Sequence, residues 1–398
     1  MNRINHNQMK FRLLAVILFC LLVSVHGQQS DDLPVPVSFR LEGVPRIKNE
    51  DVKHLFFEPS AIKNNLIWDV DRAGRRLFVT DEKNAIYSVE SPLAKPKLVI
   101  DGRGPSTFRV SPTSSIIAFN NDKEDTDNYA LFLWDGKSEA RKISSFNGKD
   151  DSVDSFIWNR DGRSIYYTLN DYETKLTKLC QSDLSASKCF SLELKGLWNV
   201  IDIDQGNILL KYWKSSSNQH IFNYSISSGK LTPLSESGNA TKAFFVAGKA
   251  LLLGEDSPEC GGNRCLISID PRTDKKEMIS LQSVRGYLGD IKPSPDGKSL
   301  LVQEAYGIDS LWIGRIKDRK VVPTVSNFLI GSYVVWNTRW LSNREVVFTI
   351  ENISQPALIQ SFDLKSKKTT NWTNSQLPSV LTGTVKSPET IRWRSFDD

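Results

Sequence analysis

At 398 residues, with 39% hydrophobic and 24% charged, the chain is too apolar for a disordered polymer and too long for one ordinary core. Ten Trp and nineteen Phe favour strands over helices. The formal charge of +5 comes without the clustered basic surface that nucleic-acid binding needs, so no nucleic-acid partner is expected.

Residues 1–27 read as a secretory signal peptide. Arg3, Lys10 and Arg12 form a basic start, Leu13 to Val25 is an almost unbroken apolar run, and Val25-His26-Gly27 places a small residue before Gln28. The run is short for a membrane span, and an uncleaved anchor is the alternative. Removing those three basic residues from +5 leaves +2, so most of the basic balance belongs to the export signal. The mature protein is expected to be periplasmic or extracellular, with no membrane association after cleavage. Residues 28–66 form a segment leading into the main fold. Within it, Asn49 to Leu55 allows a short helical turn, and Val35 to Leu41 could add a strand to the last repeat.

From residue 67 one pattern recurs: an apolar-alternating strand, a tight polar turn, and a second strand rich in β-branched and aromatic residues. Trp68-Asp69-Val70-Asp71 turns at Arg72 to Arg75 into Leu77-Phe78-Val79. Phe108-Arg109-Val110, Phe156-Ile157-Trp158, Val200-Ile201-Asp202-Ile203, Phe244-Phe245-Val246, Asp290-Ile291-Lys292-Pro293 and Thr338-Arg339-Trp340 open six further units. The mean period is about 45 residues. Third strands follow, such as Ala130 to Trp134 and Leu358 to Phe362, then more polar fourth strands such as Arg141-Lys142-Ile143 and Lys368-Thr369-Thr370. Four strands per period predict an all-β, seven-bladed β-propeller of four-stranded antiparallel blades over residues 67–384. Turns such as Ser294-Pro295-Asp296-Gly297 support this, because Pro presets φ and Gly accepts φ > 0. A two-sheet sandwich is the rival, but it requires no period sustained seven times.

Cys20 lies in the signal, leaving Cys180, Cys189, Cys260 and Cys265. An even count in an exported chain predicts disulfides. Each neighbouring pair flanks a turn sequence, Gln181 to Lys188 and Gly261 to Arg264, so the expected pairing is local. A zinc site is the rival reading, although only His54 and His220 remain to serve it.

The unit at Ser294-Pro295-Asp296-Gly297-Lys298 resembles the repeat of TolB-like propellers and of prolyl oligopeptidase-family propellers. The tail, residues 385–398, contains Ser387-Pro388-Glu389-Thr390-Ile391-Arg392-Trp393-Arg394-Ser395-Phe396-Asp397-Asp398. It resembles the propeller-to-hydrolase crossing of acylaminoacyl-peptidase-like members of that family, with Asp398 where the family usually has Gly. The resemblance implies a propeller that caps a serine-peptidase active site and screens peptides, truncated or split from its hydrolase. The family's catalytic Ser, Asp and His lie in the hydrolase, so none transfers to a position in this sequence. The implied partners are a peptide substrate or a separately encoded hydrolase domain. A stand-alone TolB-like propeller that binds peptides or envelope proteins is the alternative.

The residues themselves offer no catalytic set. No G-x-S-x-G elbow occurs; Ser225-Ile226-Ser227-Ser228-Gly229 lacks the first Gly. Asp69-Val70-Asp71-Arg72-Ala73-Gly74 begins like a calcium loop but lacks its acidic twelfth residue, and reads as a blade turn. Asp122, Asp125 and Asp127 lie in the polar loop Asn120 to Asn128, for which a solvated loop is expected and a cation site is the rival reading. No cofactor, metal or catalytic residue is therefore assigned, and no acids or histidines stand out as the channel lining of a propeller enzyme. Trp68, Trp158, Trp198, Trp336 and Trp340 are expected to pack between blades rather than line a ligand face. Sequons at Asn223, Asn239, Asn352 and Asn371 would mark exposed turns in a glycosylating host.

Overall fold

The computed structural model describes residues 66–375, apart from 82–84, 102–105, 123–127, 145–150, 216–217, 236–239, 241, 254–264, 282–286, 306–308, 330–332 and 353. The signal peptide, the leading segment, the tail and Cys260 lie outside the described residues. Every regular element described is a strand, and each set of four consecutive strands forms an antiparallel meander.

The first set comprises β1 (Leu66–Asp71), β2 (Arg76–Thr80), β3 (Ile86–Val89) and β4 (Lys97–Ile100). The second comprises β5 (Thr107–Val110), β6 (Ile117–Asn121), β7 (Ala130–Trp134) and β8 (Arg141–Lys142). Then come β9 (Asp151–Trp158), β10 (Ile165–Asp171), β11 (Leu176–Ser182) and β12 (Ser187–Lys195). The fourth set holds β13 (Leu197–Asp204), β14 (Asn207–Ser215), β15 (Asn218–Ser225) and β16 (Leu231–Pro233). The fifth holds β17 (Lys242–Val246), β18 (Lys249–Leu253), β19 (Cys265–Ile269) and β20 (Lys276–Ser280). The sixth holds β21 (Tyr287–Pro293), β22 (Leu300–Ala305), β23 (Asp309–Lys317) and β24 (Lys320–Val325). The last holds β25 (Val334–Ser342), β26 (Glu345–Asn352), β27 (Gln355–Asp363) and β28 (Thr369–Asn371).

From β1 to β21 each opening strand packs against the opening strand of the next set, β1 also packs against β25, and Lys292 of β21 and Trp340 of β25 tie the sixth set to the last by side-chain hydrogen bonds. The opening strands therefore surround a common axis. Burial follows position in the set: second strands such as β2 and β10 are almost wholly buried, whereas β8 and β28 are exposed. Apolar clusters form between neighbouring sheets. Ile67, Val70, Leu77 and Val79 of the first set meet Leu341, Val347, Ile359 and Trp372 of the last. Burying such faces against neighbours is how a repeat architecture enlarges its core by addition.

The tight turns also knit the sets together. Gly162 has φ +68°, and a Cβ there would lie 2.7 Å from Ser111 Oγ and run into Thr113 of the preceding set. Glycine is needed at that position both for its backbone angle and for its missing side chain.

Candidate functional site

Several opening strands, though not β5 or β17, carry a register slip that brings polar groups to the axis. In β1 the register slips between Ile67 and Asp69, in β13 between Val200 and Asp202, and in β21 between Leu288 and Asp290. Each bulge adds one residue and re-aims the carboxylate that follows it. Asp69 Oδ2 accepts the Val110 N–H of the next set at 2.8 Å. Asp202 accepts the Phe245 N–H of the next set at 2.5 Å, and the N–H of its neighbour Ile203 at 2.8 Å. In β9, Ser155 follows the same kind of slip and its Oγ accepts the Val200 N–H at 2.7 Å. Indoles tie in the reverse direction, with Trp158 Nε1 donating to Arg109 O and Trp340 Nε1 donating to Lys292 O, both at 3.1 Å.

Cations complete the ring. Arg339 donates to Trp68 O at 3.0 Å and stands 3.7 Å from Asp69. Arg72 donates to Trp340 O at 3.0 Å, so two arginines cross the contact between the last and first sets in opposite directions. Arg160 reaches Ile203 O, Phe245 O and the Asp204 carboxylate. Lys292 donates to Thr338 O at 2.8 Å and pairs with Asp290 at 2.7 Å; Lys242 pairs with the other oxygen of Asp290. A cavity of about 320 Å³ opens among the first, second and last sets, where Trp68, Thr107, Arg109 and Arg339 line it.

Burial and neighbouring charge shift these groups. Burial pushes the Asp202 carboxyl up to about 6, against the Phe245 N–H and Arg160, which favour its charged form. Burial likewise lowers the Lys292 ammonium to about 8, helped by Arg339 and opposed by Asp290. Burial alone would raise Asp290, but Lys292 and Lys242 beside it hold it below the ordinary carboxylate value. The axis thus carries groups that change charge between about pH 6 and 8. Such a ring can bind and orient a polar chain. The Ser155 hydroxyl accepts the Val200 N–H and bonds Thr168 Oγ1 at 2.8 Å, and the Thr338 hydroxyl accepts from Lys292 at 3.1 Å.

The residues singled out from sequence fall in several places. Cys180 and Cys189 face each other across β11 and β12 and are joined in a disulfide. The hairpin turn between them is shorter than the sequence predicted, because pairing continues to Ser182 and Ser187. Cys265 begins β19, and its expected partner, Cys260, lies outside the described residues. Trp158, Trp198 and Trp340 are buried, and Trp68 is half-buried against the Phe78–Phe108 cluster. Trp336 departs from the packing expectation: it is 47% exposed and donates to Glu351 Oε1 at 2.7 Å.

Asp71 of the calcium-like string accepts the Gly74 N–H at 2.7 Å and pairs with Arg76 at 2.9 Å, which is turn chemistry. Asp125 and Asp127 lie outside the described residues, as do His54 and Asn239. His220 sits within β15, opposite Tyr212. Among the described residues no three His, Cys, Asp or Glu side chains gather as a metal site. Asn223 corrects the sequon expectation, since it is buried within β15 and donates to Asn207 Oδ1. Asn371 is exposed, in β28.

Sequence reasoning passed over Asp202, Lys242, Asp290, Lys292 and Arg339 as a group. It expected no acids to line the channel, and the bulges place Asp69, Asp202 and Asp290 on opening strands at the axis. The available signal was a charged residue between apolar ones in those strands, as in Asp290-Ile291-Lys292 and Thr338-Arg339-Trp340.

A meander-built all-β body arranged around a polar axis defines the chain as a propeller-class protein. No protein-family model matches the sequence, and no curated protein matches it. Solved structures do. Prolyl oligopeptidase B from Galerina marginata, in its apo form, superposes with a TM-score of 0.62 at 11% identity, over 83% of this chain and 54% of that one. A structure from a study of two prolyl endopeptidases, concerned with inter-domain dynamics in catalysis and specificity, gives 0.61 at 15% identity, over 79% and 50%. The chain thus has the fold of the propeller half of prolyl oligopeptidases, and spans about half the length of the structures it matches.

Proposed function

We propose that this chain is a non-catalytic propeller that screens peptides for a prolyl oligopeptidase-type hydrolase carried on a separate or longer polypeptide. The fold likeness carries this reading, because 83% of the chain is matched by about half of a peptidase. The axial ring supports it: carboxylates, ammonium groups and guanidinium groups on successive strands suit the backbone and termini of an extended peptide. The absence of a nucleophile elbow from the sequence fits the same division of labour. Export to the periplasm or cell exterior would place the Cys180–Cys189 bond where disulfides persist. The second reading, a stand-alone TolB-like peptide binder, draws support from the ties between the first and last sets, which let the body close on its own residues.

The test takes the purified mature chain with a fluorophosphonate probe, and separately with fluorescein-labelled unstructured decapeptides. The expected result is no covalent label and saturable anisotropy, weakened about tenfold by Lys242→Glu at the axis. Labelling of any serine would end the non-catalytic reading. Absence of saturable peptide binding would end the screening one.

A further inference from the structure

A cavity of about 500 Å³ lies between the fifth and sixth sets, on the side of their tight turns. Its floor is apolar. Leu251, Ile279 and Leu300 belong to the cluster shared by these two sheets, and Ile316 packs at its margin. Backbone closes the outer wall: Ser280 N–H donates to Arg319 O at 2.8 Å, and Ser280 pairs with Lys320. This is the one strand pairing among the described residues that joins two sets. The space inside is therefore framed by two sheets held edge to edge, not by long side chains alone.

The rim is cationic. Lys249, Lys298, Arg315 and Arg319 line it against a single carboxylate, Glu277. That carboxylate is already shared by Lys249 at 3.3 Å, Lys275 at 3.1 Å and Arg319 at 3.7 Å. One negative charge divided among three cations leaves the rim with excess positive charge, and Arg315 adds to it from an exposed position on β23.

We infer that this cavity binds a small organic carboxylate with an apolar tail, the tail on Leu251, Ile279 and Leu300 and the carboxylate at Arg315 and Arg319. The volume falls within the range of small-molecule sites, which pair apolar walls with a few placed polar groups. A neutral ligand would leave the cations unused, and a cationic one would be repelled. A compact polyanion would gain nothing from the apolar floor. A guanidinium offers a carboxylate two parallel hydrogen bonds, which a lone ammonium does not. The site is separate from the axial ring, so it stands or falls independently of the screening role.

Decanoate is the probe, with decanol and decyltrimethylammonium as neutral and cationic controls on the mature chain. Displacement of anilinonaphthalene sulfonate and the shift in melting temperature report binding. Decanoate is expected to saturate one site, with both controls at least about tenfold weaker. Arg315→Glu combined with Arg319→Glu should lower decanoate affinity about tenfold or more, and Arg163→Glu on a distant turn should leave it unchanged. Because a double reversal beside Glu277 can loosen the seam, Arg315→Gln alone provides a second reading, with an expected loss of about threefold. Equal binding of all three probes, or decanoate binding indifferent to both Arg315 variants, would overturn the inference.

Discussion

Where the last set meets the first, no strand pairing joins the sheets among the described residues. The junction combines an apolar cluster, two crossed arginine-to-carbonyl bonds, the ion pairs Arg339–Asp69 and Arg75–Glu345, and a backbone bond from Leu93 N–H to Trp372 O. Where the fifth set meets the sixth, apolar packing is supplemented by a strand pairing at the outer edge, Ser280 with Lys320. Both junctions bury apolar side chains close to the axis. They differ at the periphery, and the difference shows that inner packing and short polar ties can hold two sheets that are more than 260 residues apart in sequence. Peripheral pairing is an addition that encloses a cavity.

The largest effect should come from inner packing where the sixth set meets the last, because Trp340 lies in the apolar cluster with Leu301, Leu311 and Ile313. Trp340 is 2% exposed and ties to Lys292 O, so Trp340→Ala removes both a buried indole and a polar link. A loss of about 3–5 kcal/mol is expected in urea unfolding, against less than about 1 kcal/mol for Trp336→Ala on the same strand. Equal losses would mean that the two indoles are not on opposite sides of the packing.

Ser280→Pro deletes the N–H that bonds Arg319 O and should open the peripheral pairing. The expected cost is about 1–2 kcal/mol, smaller than for Trp340→Ala, with the axial ring intact. A cost above that of Trp340→Ala would reverse the ranking of inner packing over outer pairing.

Asp202 bridges the fourth and fifth sets, and its pH behaviour sharpens the comparison. Its folded-state value, raised to about 6, lies above the unfolded value, so between about pH 4 and 6 the folded protein holds a proton that the unfolded chain has released. Its contribution to stability is therefore fully present below about pH 4 and is lost as pH rises through 6. The difference in stability between wild type and Asp202→Asn should change by about 1–2 kcal/mol across that window and stay flat above it. A flat difference throughout would mean that the carboxylate is solvated.

The smallest effect should be Arg75→Ala. Arg75 pairs with Glu345 at 2.8 Å across the closing junction, but its side chain is 65% exposed. A change within about 0.5 kcal/mol is expected in the same unfolding assay, because exposed pairs are screened and entropically costly.

The sequence made the repeat legible because each set is local. Alternating apolar residues, a two- to four-residue turn and β-branched partners all fall within about 45 residues, and the meanders follow that order. The Cys180–Cys189 pairing was legible for the same reason, since both cysteines flank one hairpin. The axial ring was not. Asp69 finds Val110, and Arg339 finds Trp68, only after bulges rotate the strands and the sheets come together. No local period encodes either contact. Asn223 shows the converse limit: a glycosylation sequon is read from three residues, but burial in β15 is decided by its neighbours.

Closure of the ring is tested most directly by a zero-length cross-link between its ends. Carbodiimide treatment of the Arg75→Lys variant, followed by peptide mass spectrometry, should yield an amide bond to Glu345 within one monomer, 270 residues away in sequence. Only intermolecular links, or none at that pair while Lys249–Glu277 couples normally, would contradict a body whose first and last sets meet.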